Sequence, residues 1–109
     1  FMEDLTALNV ADRVVGMTFS EFGRRIKSNA SGGTDHGTAA PLFYFGTGVK
    51  AGIIGTNPVL PTAVNVNDNL LMQHDFRSVY ATILQQWLGV PAAEVQKVVT
   101  GQFPLLSIV

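Results

Sequence analysis

Seven apolar side chains, Phe76, Val79, Tyr80, Ile83, Leu84, Trp87 and Leu88, recur at i, i+3, i+4, i+7, i+8, i+11 and i+12. That spacing puts them on one face of an α-helix, and a face so apolar has to be buried. Asp75 stands where a carboxylate can accept from the free N–H groups of the first turn. Gly89 follows the stripe and Pro91 prevents its continuation. The spacing therefore predicts a helix over about 75–88, packed as part of a core. Pro91 then opens a shorter helix to about Val99, with Val95, Val98 and Val99 on one face and Gly101 behind it. Phe103 to Val109 is an apolar tail, expected to dock on a sheet.

The surface that covers such a stripe must come from the rest of the 109 residues or from further protein. A chain of this length makes at most one domain and can bury a core. Apolar residues make up 47% and charged ones 14%, which excludes disorder and is rich for a small free-standing domain. Part of that apolar surface is thus expected to meet more protein. Arg13-Val14-Val15-Gly16-Met17-Thr18-Phe19 and Pro41-Leu42-Phe43-Tyr44-Phe45 read as strands covered on both faces, with a very short third at Gly52–Gly55. Met2, Leu5 and Leu8 mark the end of a helix that Asn9 would cap. Residues 56–71, with Pro58, Pro61 and five Asn or Asp, read as a surface excursion. A net charge of −1 with no basic run argues against nucleic acid or an anionic membrane as partner. There are no cysteines for disulfide or thiolate chemistry, and no apolar run reaches the roughly 18 residues of a membrane span.

Polar chemistry concentrates in two places. Ser31-Gly32-Gly33-Thr34-Asp35-His36-Gly37-Thr38 lies in a long loop over 27–40. Its glycines allow the turns that let Asp35 and His36 reach one ion. A carboxylate beside a neutral imidazole suits Zn²⁺, Mn²⁺ or Fe²⁺, although two ligands do not complete a site. The plain alternative is a surface turn with Asp35 as a cap and His36 in solvent. The second place is Ser20-Glu21-Phe22-Gly23-Arg24-Arg25, at the end of the first strand, where ligands bind in open α/β sheets. There Ser20 is a candidate donor or nucleophile, Glu21 a ligand or base, and Arg24 an anion clamp. Equally, Ser20 and Glu21 could simply start a helix. His74, alone beside the cap of the long helix, reads as structural or solvent-exposed.

Three segments together resemble a family. Thr18-Phe19-Ser20-Glu21-Phe22-Gly23-Arg24, then Gly32-Gly33-Thr34-Asp35-His36-Gly37-Thr38-Ala39, then Asp75-Phe76-Arg77-Ser78-Val79-Tyr80 with Trp87-Leu88-Gly89, are similar to the C-terminal part of the DUF1501 proteins. The resemblance implies an α/β fold, a three-layer α/β/α sandwich of alkaline-phosphatase (sulfatase-like) type. It implies that residues 1–109 are one partial domain, the C-terminal part of a larger, exported bacterial protein. Hydrolases of that superfamily use two metal ions held by Asp and His to activate a Ser or Thr against phosphate or sulfate esters.

Asp35-His36-Gly37 resembles their Asp-His-Gly metal motif, which in those enzymes ends a strand. Here the strand end carries Ser20-Glu21-Phe22-Gly23. Glu21 can therefore stand at the usual aspartate position, with Phe22 replacing the histidine and His36 matching the later single metal histidine. The implied metal ligands are Asp35 and His36, with Glu21 as a further candidate, and the ion is a divalent metal such as Zn or Mn. The implied partners are the rest of the parent polypeptide and a small ester substrate. Two functions stay open: a metal-dependent hydrolase, inactive as this chain alone, or a non-catalytic exported protein that keeps the fold for binding or cell-surface work.

Overall fold

The structure, a computed structural model, describes residues 1–109. The chain forms two compact units, one of residues 1–17, 44–54 and 74–109, the other of residues 18–43 and 55–73.

The first unit holds the helices. Helix α1 spans Met2–Ala7. It ends as Asn9 turns left-handed (φ 55°), which lets the Val10 N–H donate back to the Leu5 carbonyl. Asn9 thus closes the helix, as the sequence predicts. A 3₁₀ turn at Ala11–Arg13 leads into strand β1, Gly16–Met17. The expected strand over 13–19 forms a ladder at these two residues alone, paired antiparallel with a strand at Tyr44–Phe45. Neither is covered on both faces: Gly16, Met17 and Tyr44 are half-buried and Phe45 is exposed. No strand forms at 52–55, where Gly52 takes a φ of 145°.

Helix α2, Phe76–Thr82, starts where its cap predicts. Asp75 Oδ1 accepts from the Arg77 N–H and from Arg77 Nε, both at 2.9 Å, and Oδ2 accepts from Arg77 Nη2 at 2.7 Å. The same guanidinium lies 4.2 Å from the centre of the Phe103 ring, so the helix start and the tail share one cation. Over Ile83–Trp87 the helix widens to a π turn, with Leu88 N–H donating to the Ile83 carbonyl. It stops at Gly89, whose φ of 69° a side chain would resist. Helix α3, Ala92–Val98, follows Pro91, and its left-handed terminal residue is Thr100 (φ 58°) rather than Gly101.

The core of this unit is Ala81, Val95 and Val99, with Tyr80, Leu84, Val90 and Phe103 packed around them. Of the predicted stripe Val79 is buried, and Tyr80, Ile83, Leu84 and Trp87 are half-buried. Phe76 and Leu88 at its ends are 59% and 61% exposed, and Val98 is exposed although Val95 and Val99 on the same predicted face are buried. The buried face of α2 is Ser78, Val79, Ala81 and Thr82, so small residues take the centre and the larger ones flank it. The tail does dock. Ile108 is 1% exposed, its carbonyl accepts from Lys50 N–H, and Leu106 N–H donates to the buried Thr82 hydroxyl. No helix is long and apolar enough to cross a membrane.

The second unit is built on a ribbon of strand β2, Gly23–Arg24, and strand β3, His36–Gly37. They pair antiparallel with Gly23 opposite Gly37 and Arg24 opposite His36. The strand at Tyr44–Phe45 of the first unit is β4. Residues 56–71 form no helix or strand, in line with their turn-rich composition. They are tied down by Asn65 N–H on Asp68 Oδ2 at 2.8 Å, and Gln73 pairs with Thr56 through N–H and carbonyl bonds.

Two expectations about stability follow. The Arg77 bonds hold the Asp75 carboxyl down at about 2 from an ordinary 3.8. A depressed carboxyl stabilises the fold above its unfolded value and loses that contribution as pH falls. Asp75→Ala should therefore lower stability by about 1 kcal/mol at pH 7, the usual worth of such a cap. The gap between variant and wild type should close as pH drops from about 4 to 2. Urea unfolding across that range measures it. The Tyr44 hydroxyl is buried without a hydrogen-bond partner, and burial, with Tyr80 nearby, pushes it from 10.0 to about 12. Its neutral form is favoured in the fold, so stability should decline as pH rises from about 10 through 12. Tyr44→Phe should be at least as stable at pH 7 and should lack that alkaline loss in unfolding curves.

Candidate functional site

Sequence reasoning marks two polar segments, 20–25 and 31–38, and the β2–β3 ribbon brings them side by side. The pairing needs glycine on both strands. A Cβ on Gly37 would press on the Arg24 carbonyl, and one on Gly23 would overlap the Ala39 carbonyl. Arg25 completes the ladder, its N–H donating to the Asp35 carbonyl at 3.0 Å and its Nε to the His36 carbonyl at 3.2 Å. The same side chain reaches the Val66 carbonyl at 3.3 Å and the Asn67 side-chain oxygen, so one guanidinium joins the ribbon to the 65–69 turn.

His36 projects from β3 onto the Phe22 ring, with centroids 3.5 Å apart and planes within 11°. Stacking fixes the imidazole plane and leaves its edges free, and neither ring nitrogen has a protein partner. Arg24 Nη1 donates to the Thr34 carbonyl at 2.8 Å, and its guanidinium lies 5.2 Å from the Phe22 ring centre. Asp35 is half-buried. Its Oδ1 accepts from Asn29 Nδ2 at 2.9 Å, and its Oδ2 lies 3.8 Å from Arg25 Nη1.

The segment at Ser20–Glu21 does not start a helix, since β2 follows at once. Ser20 Oγ donates to the Phe22 carbonyl at 2.7 Å and so folds its own turn. Glu21 is exposed and does not join Asp35 and His36 in a group of three donors. His74 is exposed beside the α2 cap.

In kind, Asp35 and His36 fit a divalent metal. A hard oxygen and an unengaged imidazole stand on adjacent residues, and the carboxylate is oriented by an amide donor, as ligating carboxylates are. In number they are two of the three or four donors that a closed or catalytic site takes, and no third His, Asp or Glu of the chain stands with them. The Arg25 cation beside Oδ2 also competes for that oxygen.

Two residues that matter here carry no role in the sequence reading, Arg25 and Asn29. The signal for Asn29 was present: an Asx residue two and four positions before Ser31 and Gly33 can bond their amides and close a turn. Arg25 had none, since its partners at 66 and 67 are set by the fold.

Gly37→Ala should cost about 1–3 kcal/mol by forcing the strands apart. It should also move the His36 ring protons, which ring-current shifts from Phe22 would report in NMR spectra.

No curated protein and no solved structure matches the chain. The family model described as protein of unknown function (DUF1501) matches residues 1–106, and the chain belongs to that family.

Proposed function

We propose that residues 1–109 are the C-terminal, metal-binding part of an exported metal-dependent hydrolase of phosphate or sulfate esters. In this reading the parent domain is a three-layer α/β/α sandwich of alkaline-phosphatase type. Asp35 and His36 supply two ligands for Zn²⁺ or Mn²⁺, and the parent polypeptide supplies the others. The observation that carries the reading is the ribbon itself. It sets a glycine-flanked Asp-His pair beside the segment holding Ser20, Glu21 and Arg24, although the two are a loop apart in sequence. The free imidazole edges of His36, on a ring held flat against Phe22, support it further. A bound divalent ion would supply positive charge for the transferring phosphoryl or sulfuryl group. Arg24, opposite His36 in the ribbon, and the exposed Glu21 are the side chains of the 20–25 segment assigned to the ester. With two donors, residues 1–109 alone turn over neither ester.

A second reading is a non-catalytic exported protein that keeps this fold for binding or cell-surface work. One observation favours it: both Asp35 oxygens already face protein donors, Asn29 Nδ2 and the Arg25 guanidinium.

Elemental analysis of the purified full-length protein separates the two. The hydrolase reading expects about one or more equivalents of Zn or Mn, lost together with aryl phosphate or aryl sulfate turnover in Asp35→Ala and His36→Ala. Metal-free wild-type protein, or metal content indifferent to both substitutions, would leave the binding reading standing.

A further inference from the structure

We infer that Arg24 and His36 form a seat for a tetrahedral oxyanion, the phosphate or sulfate group of the ester, held by hydrogen bonds and with no metal. The inference rests on the ester reading above for its ligand, and not on the ion assigned there. Strand register puts the two residues together. Arg24 stands directly opposite His36, so both side chains leave the ribbon on one face. Phe22, two positions before Arg24, belongs to that face as well. Its ring lies against both groups, with the imidazole stacked at 3.5 Å and the guanidinium 5.2 Å from the ring centre. The other pair of the ladder is Gly23 with Gly37, so the opposite face carries no side chain there.

Each group keeps donors to spare. Arg24 uses Nη1 alone, on the Thr34 carbonyl at 2.8 Å. That bond holds the guanidinium by one corner. It leaves Nε and Nη2, which point the same way, as a fork for two oxygens of one anion. No carboxylate stands within ion-pair distance of Arg24, whereas its neighbour Arg25 is paired with Asp35. The neutral His36 imidazole carries one N–H with no protein acceptor, and the Phe22 stack fixes the plane in which that bond points. Asp35, next to His36 in sequence, does not oppose an anion, since its charge is answered by Arg25 and Asn29. A two-pronged cation and one further N–H on a common face match an ion that offers three or more acceptor oxygens.

The test titrates the purified full-length protein, stripped of metal by a chelator, with inorganic phosphate and separately with inorganic sulfate. Calorimetry reads the affinity and NMR follows the His36 ring protons. Saturable binding is expected, with those protons shifting as the seat fills, and the tighter of the two anions names the ester. Arg24→Gln should weaken binding by about 10–100-fold, the worth of hydrogen bonds to a charged group. Arg24→Lys keeps the charge but not the fork, and should also bind more weakly than wild type. Arg13→Gln removes another exposed arginine without a carboxylate partner, and should change affinity by less than about twofold. Unbound Arg24→Gln should keep the wild-type His36 ring shifts, which shows that the ribbon is intact. No binding by the wild-type protein, or equal affinities in Arg24→Gln and Arg13→Gln, would overturn the inference, and metal-dependent ester turnover would then still stand. Anion binding by a protein that takes up no metal and turns over neither aryl ester would instead sink the hydrolase reading and leave the seat in place.

Discussion

Everything at the candidate site hangs on the antiparallel contact of Gly23–Arg24 with His36–Gly37. Two residues per strand make a weak ladder, and a short two-stranded ribbon is marginal in water. It persists here because bonds on its margins share the load. Arg25 adds its backbone N–H and its guanidinium to the carbonyls of Asp35 and His36. Thr38 bonds to Asn69 and Leu70, and Thr18 and Phe43 exchange a pair of bonds at the base of the unit. Side chains thus do what a longer sheet would otherwise do.

That arrangement explains why the site residues are so economical. Arg25 is a structural cation with four protein partners, and its closeness to Asp35 is a by-product of holding the strand. Ser20 is spent on its own turn. Phe22 is a platform that takes His36 on its ring and has Arg24 nearby. What remains unengaged for a metal is small: the His36 ring edges and the exposed Glu21, since both Asp35 oxygens face protein donors. Such remnants fall short of the three or four donors that a metal site takes, which is why metal content decides between the two functional readings.

The helical unit obeys a different constraint. Its core is small, centred on Ala81, Val95 and Val99, and a core of small residues lets helices and tail approach closely but buries little area. The larger residues stay at the margins, and Phe76, Leu88 and Val98 remain exposed. The 47% apolar content is therefore only partly accounted for by burial among these residues. Thr82 shows how the remaining polar groups are handled. It is fully buried, donates to the Ser78 carbonyl and accepts from Leu106 N–H, so its hydroxyl is satisfied in both roles.

The sequence by itself determined the features whose causes are local. Asp75 caps α2 because a carboxylate before Phe76 meets free N–H groups within the same turn. Asn9, Gly89 and Pro91 mark helix ends because their own backbone preferences do so. The turn character of 56–71 and the concentration of polar chemistry at 31–38 were legible for the same reason. Tertiary structure decided whatever depends on a distant partner. Apolar runs at 13–19 and 41–45 state a β preference, but ladder length is set by the neighbour available, and here it is two residues. Which residues of the α2 stripe are buried depends on where α3 and the tail lie, and that moved the core onto Ala81 and Thr82. Pairing of Arg24 with His36, the stack on Phe22 and the reach of Arg25 to Asn67 join residues that no local periodicity connects. Those long-range contacts, rather than the Asp-His pair read alone, fix what the site can hold.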